Sequence, residues 1–305
     1  MTPVQTYPVS PASGSKGWAI LRALRVHQWV KNLLLFVPLV LDHKVLRPAA
    51  TIHTLVAFAA FCCAASGGYI LNDLLDREAD RLHPTKRQRP FASGALPAAF
   101  GWIAGPLLIG LGLALGALVL SWKFLVLLAL YVAATAAYST YLKRIAVVDV
   151  LVLAGLYTLR VLAGVAAAHV RFSAWLLAFS MFLFLSLAFL KRYTEFRSLD
   201  PGTGAARRRG YVPGDREWLG TMGSASGYLS VLVLALYISS DQVVSLYRTP
   251  EFLWLVCPVL LFWISRMWLL AYRGQIDDDP IVSTVRDPLS YLLGTLVGII
   301  LFAAL

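Results

Sequence analysis

The stretch YILNDLLDREADRLHPTKRQRPFASG, residues 69–94, puts four acids and five Lys/Arg into 26 residues directly behind an apolar run. The run before it, 52–71, is long enough to cross the hydrocarbon core of a bilayer, which takes about 20 apolar residues. Comparable runs recur along the chain at 30–48, 98–120, 122–141, 146–168, 172–190, 222–241, 251–271 and 287–305. The sequence therefore predicts an all-α polytopic membrane protein with nine transmembrane helices. Lys31, Pro38 and Asp42 interrupt the first of them. Composition agrees: the 305 residues are 59% hydrophobic and 14% charged, with mean hydropathy +0.70. Soluble domains carry roughly a quarter charged residues, so that class is excluded.

Residues 1–16 are Pro/Ser-rich and are expected to form a disordered tail. They lack the charged start and short apolar run of a cleaved signal peptide. Residues 17–305 contain no linker and read as one domain. The net charge is +11, and its placement explains it. With the amino terminus inside, 21 of the 27 Lys/Arg fall on the inner side, five fall outside, and Arg160 alone lies within a helix. That is the positive-inside pattern, so the basicity requires no nucleic acid partner. It places the protein in a bacterial inner membrane, amino terminus cytoplasmic and carboxyl terminus outside. The acids follow no such rule, yet 13 of 16 are also inside, with Asp42, Asp241 and Glu251 the exceptions. A cytoplasmic face rich in both signs marks the place to look for a site. Cys62, Cys63 and Cys257 lie in apolar helices, and the five histidines are scattered, so neither a zinc site nor a disulfide framework is expected.

Continuing the second helix past Leu71 places Asp73, Asp76 and Asp80 at i, i+3, i+7, one face of an α-helix. Three carboxylates on one stripe repel one another unless a cation intervenes. Hard oxygen donors without Cys or His favour Mg²⁺, an ion that is commonly shared with substrate phosphates. The competing reading is a solvated helix end whose acids pair with Arg77 and Arg81. The basic stretch HPTKRQRP that follows favours the metal: Lys86, Arg87 and Arg89 can neutralise phosphate oxygens that the metal leaves free.

NDLLDREADRLHPTKRQRP resembles the NDxxDxxxD signature and following basic loop of the UbiA superfamily of intramembrane prenyltransferases, whose fold suits nine helices. The resemblance implies that Asp73, Asp76 and Asp80, supported by Asn72, hold Mg²⁺ and the diphosphate of the donor. Ordinary members carry a second acidic motif after the sixth helix. Here that place reads LKRYTEFRSLD, opening on Lys191 and Arg192, which suits a donor with phosphate beyond its diphosphate. RVHQWVKNLLLFVPL, YSTYLKRIAVVDVLVLAGLYTLRVLAG, KRYTEFRSL and FWISRMWLLAYRGQIDDDPI are similar to the decaprenyl-phosphate phosphoribosyltransferase branch, over most of residues 20–300. That likeness implies transfer of 5-phosphoribose from 5-phosphoribosyl 1-diphosphate (PRPP) to a long-chain polyprenyl phosphate, releasing diphosphate, for arabinan cell-wall precursors.

The residues can be read independently against this load of anions. Arg160, deep in an apolar run, is costly there and is expected to meet a substrate phosphate, with snorkelling or a pair with Asp149 as the alternative. Lys31, with Gln28 and Asn32, is either an interfacial anchor beside Trp29 or a phosphate ligand. Tyr138 and Lys143 suit either an interface belt or donor binding, and Lys191 and Arg192 suit phosphate. Arg266 could equally serve the dipole of its own helix. Asp277, Asp278 and Asp279 read as a solvated turn, and Arg207, Arg208 and Arg209 as a surface run facing anionic lipid. Two other functions compete: a UbiA-type prenyltransferase acting on an aromatic acceptor, against which the altered second motif counts, and a transporter, against which the one-sided charge counts. The sequence leaves a homo-oligomer open.

Overall fold

The computed structural model describes residues 16–82, 86–197, 210–212, 214–244, 246–276, 280, 283–284 and 287–305, and among them every regular element is helical. The tail before Lys16, residues 83–85, Arg207–Arg209 and Asp277–Asp279 lie outside the described residues. The order is α1 (Lys16–Leu24), α2 (Val37–Leu41), α3 (Pro48–Leu75), α4 (Arg77–Arg81), α5 (Ala98–Val119), α6 (Trp122–Thr140), α7 (Val148–Ala167), α8 (Ala174–Arg197), α9 (Asp215–Ile238), α10 (Asp241–Val244), α11 (Val256–Arg273) and α12 (Pro288–Ala304). Short 3₁₀ turns cover Lys86–Gln88, Leu142–Arg144 and Pro250–Leu255.

Among the described residues, seven helices are long and apolar enough to cross a membrane: α3, α5, α6, α7, α8, α9, and α11 with its leading 3₁₀ turn. α12 is equally apolar but shorter. Eight of the nine expected spans thus coincide with helices. The run 30–48 differs, because it is not one helix. After α1 the backbone of Arg25 takes φ 51°, a left-handed step that ends an α-helix. Val26–Phe36 then winds as 3₁₀, and α2 starts afresh with Pro38 in its first turn, where the missing N–H costs nothing. Polar side chains explain part of this course. Trp29 Nε1 donates to Ser66 Oγ at 3.0 Å, Ser66 Oγ donates to the Leu24 carbonyl at 2.9 Å, and Asn32 Nδ2 reaches Cys62 Sγ at 3.3 Å.

The chain divides into two compact units. One comprises the described residues up to Asn32 together with Leu55–Ala136. In it α3 and α5 approach closely through small residues: a Cβ on Gly67 would lie 2.5 Å from the Gly105 carbonyl oxygen, and one on Gly112 2.6 Å from that of Ala60. Such small-residue contacts are how apolar helices gain packing in a solvent as apolar as themselves. Ala19 and Ala23 of α1 join Ile70, Leu74, Phe91 and Leu96 in a small buried core. That core lies next in sequence to the charged segment and fixes the end of α3.

The second unit comprises Leu33–Thr54 and Ala137–Leu305. Its core joins α7, α8, α9 and α11 through Tyr157, Phe184, Phe189, Tyr193, Leu219 and Trp268. Ser186 Oγ donates to the Gly223 carbonyl at 2.7 Å and accepts from Trp268 Nε1 at 3.1 Å, so the polar atoms buried there are satisfied.

Candidate functional site

In the first unit the helical course does continue past Leu71, with a break. α3 ends at Leu75, Asp76 is the non-helical residue between helices, and α4 follows. The Asp76 amide still bonds to the Asn72 carbonyl, and the Asp80 amide to that of Asp76, so the three aspartates keep a near-helical spacing. Asp73 and Asp80 are buried at 2% and 4% exposure, while Asn72 and Asp76 are half-buried. Asn72 Nδ2 donates to Asp76 Oδ2 at 3.1 Å.

Arginines, rather than a third carboxylate, complete this cluster. Arg89 Nη1 donates to Asp73 Oδ1 at 3.1 Å and to Asp80 Oδ2 at 2.7 Å. Arg25 Nη2 donates to the same Asp73 oxygen at 2.6 Å, and its guanidinium carbon lies 5.1 Å from the Tyr69 ring centroid. Among the described residues no three His, Cys, Asp or Glu side chains are grouped to hold a metal. The donor set nevertheless fits a hard divalent ion. Two buried carboxylates already converge on one cation at hydrogen-bonding distance, and no soft ligand intrudes. Arg81 bonds to Glu78 at 3.1 Å and to the Ala92 carbonyl at 3.3 Å, and Arg77 lies 4.0 Å from Glu78, so Glu78 is the acid these two arginines meet while Asp73 and Asp80 are held by Arg25 and Arg89.

Other sequence candidates belong to the same unit. Lys86 is half-buried and Arg87 exposed, in the 3₁₀ turn that precedes Arg89. Gln28 is half-buried and Lys31 is buried at 7% exposure, both on the 3₁₀ segment after Arg25. Arg25 itself escaped the sequence reading. Its left-handed backbone has no sequence signature, although the residue opens the RVHQWVKN segment.

The second unit holds a separate charge cluster. Arg192 and Asp149 are both fully buried, with Arg192 Nη2 2.5 Å from Asp149 Oδ2. Arg192 Nη1 also meets Glu195, and Nη2 lies 3.4 Å from the Tyr138 hydroxyl. The contact with Asp149 is close but poorly aligned, leaving Asp149 Oδ2 and Arg192 Nε without a directed hydrogen bond among the described residues. Tyr211 donates to Asp149 Oδ1 at 2.8 Å. Burial pushes the Tyr211 hydroxyl above its ordinary range; the neighbouring Asp149 carboxylate adds to this, and the Val147 amide partly opposes it.

Arg192 is therefore engaged by acids. Arg266 is too: its Nη1 and Nη2 reach Asp287 Oδ2 and Oδ1 at 2.7 and 3.1 Å. Asp287 in turn caps α12, accepting from the Ser290 amide at 3.0 Å. Burial alone would raise the Asp287 carboxyl, but Arg266 and Ser290 outweigh it and hold the group below its ordinary range. Lys191 and Lys143 are half-buried. Arg160 is buried within α7 at 4% exposure. It donates to the Leu156 carbonyl at 2.7 Å and lies over the Tyr157 ring, whereas Asp149 is given to Arg192 and Tyr211.

Residues 39–282 match the UbiA prenyltransferase family. The uncharacterized protein y4nM of Sinorhizobium fredii is 38% identical over 302 residues, 98% of this chain but 56% of that protein, so the chain spans little more than half of that relative. Nodulation protein NoeC of Azorhizobium caulinodans is 36% identical over 284 residues, 91% of each chain. The decaprenyl-phosphate phosphoribosyltransferase of Mycolicibacterium smegmatis is 35% identical over 271 residues, 85% of this chain and 82% of that one. Among solved structures, a UbiA homolog from Archaeoglobus fulgidus bound to GPP and Mg²⁺ superimposes with TM-score 0.71 at 16% identity, covering 94% of this chain and 99% of the other. At that identity the likeness concerns the fold.

Proposed function

Because the chain belongs to the UbiA prenyltransferase family, an enzyme family of membrane-embedded transferases, we propose that it transfers 5-phosphoribose from PRPP to a long-chain polyprenyl phosphate, releasing diphosphate. The observation that carries this is the convergence of Asp73 and Asp80 on Arg89, with Arg25 on the same Asp73 oxygen. It is a buried anionic pair bordered by exchangeable cations, the composition that a metal–diphosphate needs. The 35% identity to a named phosphoribosyltransferase supports the choice of sugar. The reaction is read as occurring at the cytoplasmic membrane face, within a single domain spanning residues 17–305.

Asp73, Asp76 and Asp80, with Asn72, would hold Mg²⁺, which when bound stabilises charge on the departing diphosphate. Arg25 and Arg89, once released from the carboxylates, would donate to diphosphate oxygens with bidentate geometry. Lys86, Arg87 and Lys31 are assigned to phosphate as further cations, and Gln28 as a neutral amide donor. In the second unit, Lys143, Lys191 and Arg160 are assigned to phosphate; Tyr138 lies beside them in function. Arg192 and Arg266, each already on carboxylates, are assigned to holding geometry. The acceptor phosphate is anionic at neutral pH, so its oxygen attacks the anomeric carbon without a strong base, and displacement from the opposite side inverts that centre. We assign the product to arabinan precursors. The identity to nodulation protein NoeC supports a second setting, nodulation, for the same transfer step.

The test is transfer of label from ribose-labelled PRPP into an organic-extractable lipid by purified protein with polyprenyl phosphate and Mg²⁺. Labelled lipid that requires both the metal and Asp73 is the expected outcome. No labelled lipid, with turnover of an isoprenyl diphosphate on an aromatic acceptor instead, would overturn it in favour of an ordinary prenyltransferase.

A further inference from the structure

The turn between α6 and α7 is strained, and the structure shows what holds it. The Val148 amide bonds to the Ala146 carbonyl at 2.8 Å, closing a three-residue turn on Val147, whose φ and ψ are 68° and −46°. This positive-φ γ-turn is rare and strained. A β-branched residue is poorly suited to it. Such a conformation persists only where surrounding contacts over-determine it, and it is found disproportionately near functional positions.

Three contacts do so here. The Val147 amide donates to the Tyr211 hydroxyl at 2.8 Å. Tyr211, 2% exposed, in turn donates a hydrogen bond to Asp149 Oδ1 at 2.8 Å. Gly210, at φ 73°, lies so close beneath that a Cβ there would be 2.7 Å from the Arg144 carbonyl oxygen. Asp149 is then fixed from its other oxygen by Arg192, and the same guanidinium reaches Tyr138. The segment 141–147 is thus bounded by two residues, Tyr138 and Asp149, that end on one buried cation. Between them lies Lys143, half-buried on its 3₁₀ turn.

We propose that Asp149, Arg192 and Tyr211 are positioning residues that hold this turn so that Lys143 meets a phosphate of the substrate. This rests on the phosphoribosyl-transfer reading above. The arrangement explains why a fully buried arginine is surrounded by acids: its charge orders Asp149 and Tyr138, and its contact with ligand is indirect.

The experiment compares full-length wild type, Tyr211→Phe and the double variant Asp149→Leu/Arg192→Met. Removing both partners of a buried ion pair commonly leaves folding intact. Two readouts are taken: labelling of Lys143 by an amine-reactive reagent with and without Mg²⁺ and inorganic diphosphate, and initial rates against PRPP. The expected result is that diphosphate protects Lys143 in wild type and protects it poorly in both variants. KM for PRPP should rise on the order of fivefold to tenfold in Tyr211→Phe, the loss expected from one hydrogen bond, with kcat little changed. The double variant should fold yet keep the raised KM. A folded double variant, or Tyr211→Phe, with wild-type KM and wild-type protection overturns the proposal, and so does an unprotected Lys143 in wild type. Should the double variant not fold, Tyr211→Phe decides alone. Should wild type transfer no phosphoribose while the protection pattern holds, the functional reading fails and the positioning role stands.

Discussion

Two aspartate–arginine clusters hold the buried aspartates among the described residues, and they differ in how firmly the cation is kept. In the first unit, Arg25 and Arg89 bind Asp73 with side chains still 21% and 26% exposed. In the second, Arg192 and Asp149 are both at 0%. A partly solvated guanidinium can leave its carboxylate and be rehydrated, making room for a divalent ion and meeting the diphosphate itself. A sealed one cannot leave without stranding a bare charge, which is far more costly than the pair is worth. The same kind of ion pair is therefore suited to exchange in one place and to support in the other.

The largest effect expected from this contrast is catalytic. Asp73→Asn should lower phosphoribosyl transfer by about 10²–10³-fold, the usual loss when one electrostatic contact to the transition state is removed. Thermal unfolding in detergent should move little, because its two arginines retain water. Asp149→Asn should do the reverse first: it breaks a buried pair, at a cost of about 3–5 kcal/mol, seen as a lower unfolding temperature or loss of the monodisperse peak. Equal destabilisation by the two substitutions would break the comparison.

A smaller effect sharpens it. If Arg25 competes with a divalent ion for Asp73, Arg25→Gln should bind Mn²⁺ alone more tightly, by roughly threefold to fivefold, since a partly exposed ion pair is worth up to about 1 kcal/mol. In the presence of inorganic diphosphate the same variant should bind more weakly than wild type. Electron paramagnetic titration of free Mn²⁺ reads both. Unchanged affinity in both conditions would make Arg25 a structural partner only.

The smallest effect belongs to a third, part-buried pair. Asp287→Ala removes the cap of α12 and should cost about 1 kcal/mol. With its carboxyl held below the ordinary range, the contribution of Asp287 is complete above about pH 4. It is lost as the pH falls through the lower native value, because protonation must then precede loss of Arg266. An acid melting series of wild type against Asp287→Ala should converge at low pH.

Much of this was legible in the residues. Eight of nine expected helices were marked by apolar length, since a membrane admits few alternatives. NDLLDREAD announced a charged helix end by spacing alone. Lys31, Pro38 and Asp42 mark the first expected span as interrupted, but the course it takes was not legible, because the left-handed turn at Arg25 and the Ser66 contacts with Trp29 and Leu24 belong to no local pattern. Arg192 and Arg266 were read as phosphate ligands because basic residues near a phosphate site invite that reading. Glu195, three residues on from Arg192, is within a local reading, but Asp149 lies 43 residues from Arg192 and Asp287 lies 21 from Arg266, distances at which sequence carries no pairing information.

Sequence by itself determined the solvent of this protein, its helical class and the chemistry of its acidic segment, because all three follow from composition and short-range periodicity. Tertiary structure alone decided which bases are available. Coulomb attraction in a low-dielectric interior depends on distance and water access, and folding set both: it brought Arg25 and Arg89 to Asp73 within reach of solvent, and closed Arg192 over Asp149 without it.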